Sequence, residues 1–231
     1  MFVFGGTAAH LVDEIDGHVH ADACDGFSVR MISEVLLSDH AAEDLLRASA
    51  DVAKNLTSAG IRVDLKGDFD QVGEASAIEG DAQARPLVVN GQETYGTGAG
   101  APLIVADDTF SVEIGGVWNE VGATSVVFPR AVIDVSEGLP TITHNIESAK
   151  IAGIEVVDGT EATSITGIMP TATVKDLLPK TTGPAYFSMW VHSTGDPVLV
   201  RTIIDFSADR AITITVSNWN ALVHVTAAPT Q

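Results

Sequence analysis

The sequence predicts a mainly β fold: a jelly-roll-like β-barrel or sandwich with one α-helix and a long inserted or N-terminal region. Three observations predict it. Short runs of β-forming residues recur at close intervals, most densely from residue 103 onward. Turn signals separate them, including Asp107-Asp108, Gly115-Gly116, Gly138-Leu139-Pro140, Asp158-Gly159 and Gly195-Asp196-Pro197. A single stretch has helical spacing, so the strand–helix alternation of a parallel α/β sheet is missing.

That stretch predicts a helix over about residues 41–57. Ser38, Asp39 and His40 offer polar caps, and Glu43 and Asp44 place negative charge in the first turn, where the helix dipole favours it. Leu45, Ser49, Val52, Ala53 and Leu56 recur at helical intervals, and Gly60 suits the stop.

The strands follow from composition and alternation. Phe27–Leu37 is rich in β-formers, and Ile61–Leu65 alternates as a half-buried strand does. Pro86–Val89, Leu103–Val105, Phe110–Ile114, Gly116–Val121, Ser125–Phe128 and Ala131–Val135 continue the series. Ile151–Val157, Thr163–Ile168, Tyr186–His192 and Val198–Phe206 extend it. Ile212–Val216 and Leu222–Val225 close it, joined by Asn218-Trp219-Asn220 as a hairpin connection. Residues 66–102, with seven glycines and several acids, read as a linker or long loop. The expected division is a mixed region over 1–102, part of the same barrel or a projecting tower, and a β-barrel or sandwich over 103–231.

Composition narrows the function. The 231 residues hold 31 acids against 12 bases, a net charge of −19, and 45% are hydrophobic. That is ample for a core and unsuited to direct contact with nucleic acid, which needs clustered Lys and Arg. Residues 1–115 carry net −14 and residues 116–231 net −5. Such an excess repels itself in dilute buffer and is relieved when salt shortens the Debye length to about 3 Å at 1 M. No apolar run is long enough for a transmembrane helix, so no membrane insertion is expected, and Met1–Gly6 lacks the basic start of a signal peptide. The lone Cys24 excludes an intrachain disulfide framework and has no cationic neighbour in sequence to activate it.

The sharpest chemical motif is Asp16-Gly17-His18-Val19-His20. In a strand, His18 and His20 face the same way and can share a metal with Asp16. The motif resembles the first metal-binding strand of the amidohydrolases, which would imply a metal-dependent hydrolase. That family's barrel needs many more helices than this chain offers. No Gly-x-Ser-x-Gly elbow is present, and Gly96-Thr97-Gly98-Ala99-Gly100 is followed by a strand-like run where a phosphate loop needs a helix. The chain is therefore expected not to be an enzyme and to use no cofactor beyond bound cations. Along Tyr186–His192, Phe187, Met189 and Val191 share one face, while Tyr186, Ser188, Trp190 and His192 share the other. This stretch, with Ile203–Phe206 and the final alternating residues, is similar to the inner strands of concanavalin-like lectins, which would imply a sugar- or receptor-facing binding module.

Size, the Asp/Ala/Val/Thr bias and the run of strands over 103–226 resemble the single-β-barrel major capsid proteins of haloarchaeal icosahedral, internal-membrane viruses. The resemblance implies an upright jelly roll, made in the host cytoplasm and placed in the virion. Its partners would be copies of itself and a second capsid protein, with assembly dependent on salt. Trp118, Trp190 and Trp219 are then the candidate interface residues, because tryptophan is enriched at hot spots.

Overall fold

The computed structural model describes residues 41–69, 75–124, 130–134, 136–178 and 180–223. They form one antiparallel sheet of 11 strands with short helices. The strands are β1 Ser58–Lys66, β2 Ala75–Gln83, β3 Val88–Tyr95, β4 Gly100–Ala106, β5 Thr109–Ile114 and β6 Val117–Ala123. They continue as β7 Glu147–Val157, β8 Thr160–Met169, β9 Ala185–His192, β10 Leu199–Ser207 and β11 Arg210–Ser217. The helices are α1 (41–53), α2 Arg130–Ile133, α3 Gly138–Thr143 and α4 Thr171–Leu177.

Strand order is β6-β5-β4-β3-β2-β1-β11-β10-β9-β8-β7. Two meanders, β1–β6 and β7–β11, therefore meet where β1 pairs with β11. The β class holds, but the jelly roll does not. A jelly roll needs Greek-key crossings between two sheets, and here every neighbour but that one is consecutive in the chain. The sheet is open, with β6 and β7 as its edges.

One face of the sheet carries the core. A single register row shows it: Ile151 on β7, Ile165, Met189, Thr202, Ile214, Val63, Ile78, Glu93 and Ala101 on β4 stand side by side across nine strands. Alternate positions, such as Arg62, Thr215 and Glu79, face the other way, and Arg62 bridges Asp64 and Glu79 there. Gly80 and Gly91 are paired across β2 and β3. A Cβ on Gly80 would lie 2.3 Å from the Asn90 carbonyl oxygen, and one on Gly91 2.2 Å from that of Glu79. Only glycine permits this approach of the two backbones.

Several local expectations change for identifiable reasons. The 66–102 stretch is not a loop: it supplies β2, β3 and the start of β4, and one sheet runs through position 102. The β2 residues ASAIEGDAQ are poor strand formers, and pairing on both sides with β1 and β3 overrides that. The strand expected at Ala131–Val135 is instead helix α2 over Arg130–Ile133, where Val132 and Ile133 are buried in the core. Gly138-Leu139-Pro140 opens α3 rather than a turn, since proline is tolerated in a first helical turn. The C-terminal hairpin does not form over the described residues. Both sides of β11 are already taken by β1 and β10, and 221–223 are not strand. Asn220 returns to the start of β1, accepting from the Thr57 amide at 2.9 Å. The strands expected at Phe27–Leu37 and Ser125–Phe128 lie outside the described residues.

Candidate functional site

The site begins with α1. The expected helix ends four residues early, at 53, and its buried stripe is rotated from the one expected. Ala42, Leu46, Ser49, Ala50 and Ala53 are buried, whereas Leu45 and Val52 are only half-buried. Small residues therefore face the sheet and let the helix lie close to it. The opposite face is solvated and carries the Asp44–Arg47 and Asp51–Lys54 pairs at 2.7 and 2.9 Å. Exposed pairs of this kind add little stability.

The short α2–α3 hairpin lies beside it. Asp134 Oδ1 accepts from the Ser136 and Glu137 amides and from the Ser136 hydroxyl, which fixes the turn between the two helices. A Cβ on Gly138 would meet the Ala131 backbone at 2.3–2.6 Å, so only glycine lets α3 fold this tightly on α2. Ile142 then points into the core.

Together α1 and α3 roof the inner face of the sheet. Ser49, Ala50, Ala53, Leu56, Pro140 and Thr143 above, and Met189, Leu199 and Val216 below, enclose a cavity of about 10 Å³. That is about one water. Above it, a cleft of about 490 Å³ opens between the two helices, lined by Lys54, Ser136, Glu137, His144 and Asn145. Ala50 and Pro140 line both spaces, so only the α1–α3 contact separates the cleft from the small cavity on the sheet. The inner face is also bare at both edges of the sheet: Ile114 and Val117 are 62% and 55% exposed, and Ile154 and Val156 are 65% and 72% exposed. Among the described residues no group of three or more His, Cys, Asp or Glu could hold a metal ion, and no helix is long and apolar enough to cross a membrane.

Two polar side chains punctuate the inner face, and the sequence reading did not single out either. Glu93 is 7% exposed, and the Tyr95 hydroxyl donates to its Oε2 at 3.3 Å. Burial raises the Glu93 carboxyl above its ordinary range, against a smaller opposing effect of that hydrogen bond. Burial, and then the nearby carboxylate, also raise the Tyr95 hydroxyl. Thr202 is 1% exposed. The signal for both was strand parity: Glu93 alternates with Val89 and Tyr95, and Thr202 with Ile204.

His18, His20 and Asp16 lie outside the described residues. The structure brings Trp190 and Trp219 together over a small second cluster of Val157, Ala162 and Val200, and Trp219 also packs against the main core. There Trp190 Nε1 donates to Glu155 at 3.2 Å, and Trp219 Nε1 to the Leu199 carbonyl at 3.0 Å. His192 meets the Trp219 ring edge-on. Trp118 stands apart from them on edge strand β6, opposite Glu113. Phe187, Met189 and Val191 face the core, as their alternation requires.

Comparison with known proteins supplies the family. The model of the LppX_LprAFG lipoproteins matches residues 41–225. The chain is 32% identical over 188 residues to a putative phthiocerol dimycocerosate transporter, LppX, of Mycobacterium tuberculosis, covering 81% of this chain and 80% of that protein. It is 27% identical over 191 residues to the lipoarabinomannan carrier protein LprG of Mycobacteroides abscessus, covering 80% and 83%. The crystal structure of M. tuberculosis LppX superposes with a TM-score of 0.70 at 31% identity, over 82% of this chain and all of that one. LprF of Mycobacterium bovis shares the fold with a TM-score of 0.69. These matches overturn the capsid resemblance, and with it the virion location, the capsid partners and the salt-driven shell. They equally displace the lectin and metal-hydrolase alternatives. The resemblance rested on acidic composition and strand density, which unrelated β proteins share. The expectation that the chain is not an enzyme agrees with relatives described as a transporter and a carrier. The family match spans most of the chain and the fold agrees with it: the protein belongs to the LppX/LprAFG lipoprotein family.

Proposed function

We propose that this protein is a lipid carrier, sheltering long apolar chains between the inner face of its sheet and the α1–α3 roof. The observation that carries the reading is the cleft above Ala50 and Pro140, which lies over a mostly apolar sheet face. The LppX and LprG relatives, described as a phthiocerol dimycocerosate transporter and a lipoarabinomannan carrier, support the cargo class. Ligand pockets of bound small molecules measure about 300–1,000 Å³, and the buried cavity is far smaller. Uptake therefore requires the roof to lift from the sheet. The roof suits such a movement: of the residues α1 buries, Leu46 is the one large side chain, and the alanines beside it give up little contact when the helix separates. At net −19 the protein has little attraction for anionic surfaces, so apolar contact drives the exchange.

The test is transfer of a fluorescent diacyl lipid from quenched donor vesicles to the purified protein. Saturable transfer near one lipid per chain is expected. Ala53→Trp places a large ring between roof and sheet and should abolish transfer while the chain stays folded by circular dichroism. If the wild-type protein takes up no lipid from any vesicle, the carrier reading is wrong.

A further inference from the structure

The inner face of the sheet is apolar except at a few positions, and the polar groups there differ in how they are satisfied. The carboxyl of Glu93 accepts the Tyr95 hydroxyl. In the roof, the Thr143 hydroxyl donates to the Pro140 carbonyl at 3.0 Å. Thr202 has no such answer: its Oγ1 is buried and makes no hydrogen bond among the described residues. It stands in the register row between Met189 and Ile214, both 2% exposed or less, and Met189 lines the cavity under α1 and α3. A buried hydroxyl without a partner is a cost the fold could avoid, because valine has the same shape and suits a strand equally well. The hydroxyl therefore points to a partner outside the described residues, on the side of the sheet where its register neighbour Met189 lines the cavity.

We propose that Thr202 is a specificity-determining residue, whose hydroxyl bonds an oxygen of the cargo, such as an ester carbonyl or a hydroxyl, within the apolar space. This rests on the carrier reading and adds a cargo class to it: acyl lipids bearing an oxygen function along the sheltered chain, preferred over bare hydrocarbon of equal length. Position favours this role. Thr202 lies on β10, well inside the sheet and away from both edges, so it meets the buried part of a cargo rather than a solvated head group.

Displacement of a bound fluorescent fatty acid by methyl stearate and by n-eicosane, two chains of matched length, tests the assignment. Wild-type protein should prefer the ester by about tenfold, the value of one satisfied hydrogen bond. Thr202→Val should bring the two to near parity, with a melting temperature at or above wild type. Thr202→Ser, which keeps the hydroxyl, should retain the preference. If Thr202→Val binds both probes and still prefers the ester as wild type does, the role of Thr202 is overturned and the carrier reading stands. If wild type binds neither the fatty acid nor either probe, the carrier reading itself falls and the inference with it.

Discussion

At the scale of single residues, the inner face shows how burial changes chemistry. Glu93 sits between Ile78 and Ala101 in the register, where water cannot solvate its charge. Its folded pKa is raised, so the carboxylate destabilises the fold once pH exceeds that value, and the penalty fades as pH falls toward the ordinary glutamate value of 4.5. Glu93→Gln keeps an acceptor for Tyr95 and removes the charge. Thermal melts should show a higher melting temperature for the variant at pH 7, with the two proteins converging below about pH 4.5. An unchanged difference across that range would mean that the Glu93 carboxyl has the same pKa folded and unfolded. Glu93 and Thr202 were legible only as members of an alternating pattern. Their parity could be read, but which parity faced the core could not, because polar residues occur on both faces of β3.

At the scale of elements, α1 is the clearest meeting of sequence and structure. Its helical period was legible in the chain, while its cap candidates Ser38, Asp39 and His40 lie outside the described residues. The face it buries was not, because Leu45 and Val52 are more hydrophobic than Ala42, Ala50 and Ala53. Hydrophobicity alone points the stripe at the leucines, whereas close approach to the sheet selects the alanines. Leu46 is the large side chain on that stripe, at 4% exposure. Leu46→Ala should cost about 2–5 kcal/mol in denaturant unfolding, by lost burial and the void left behind. A cost under about 1 kcal/mol would show that α1 is loosely docked. The short helices α2 and α3 were misread for a different reason. Val132-Ile133 and the Gly-Leu-Pro step have strand and turn propensities, and a hairpin of a few residues has too little period to correct them.

At the scale of the whole molecule, charge and topology separate. The excess of acids is a property of the chain, and it acts on stability through self-repulsion. The melting temperature should therefore rise between dilute buffer and ~1 M NaCl, most steeply at the low end where the Debye length changes fastest. A flat response would mean that the acids are already neutralised by local pairing. The same excess suggested a shell protein, since assembly in concentrated salt is one context that tolerates it. Charge reports solubility and association, however, and carries no information on fold or cargo. The open sheet accounts for the rest. A meander leaves two edges and one broad, mostly apolar face, and helices laid on that face build the candidate site without any residue in a recognisable motif.

The sequence by itself determined the β class, the positions of most strands, the location of α1 and the absence of a catalytic signature, because each depends on local period and composition. Only the tertiary structure decided that β1 pairs with β11, that β2 is a strand at all, which side of each strand is buried, and that α1 and α3 meet above the sheet. Those depend on residues far apart in the chain coming together: Val63 pairs with Ile214, Thr202 pairs with Met189, and Ala50 and Pro140 line one cavity. No local pattern encodes which distant strand will be a neighbour. The candidate site lies entirely within contacts of that kind.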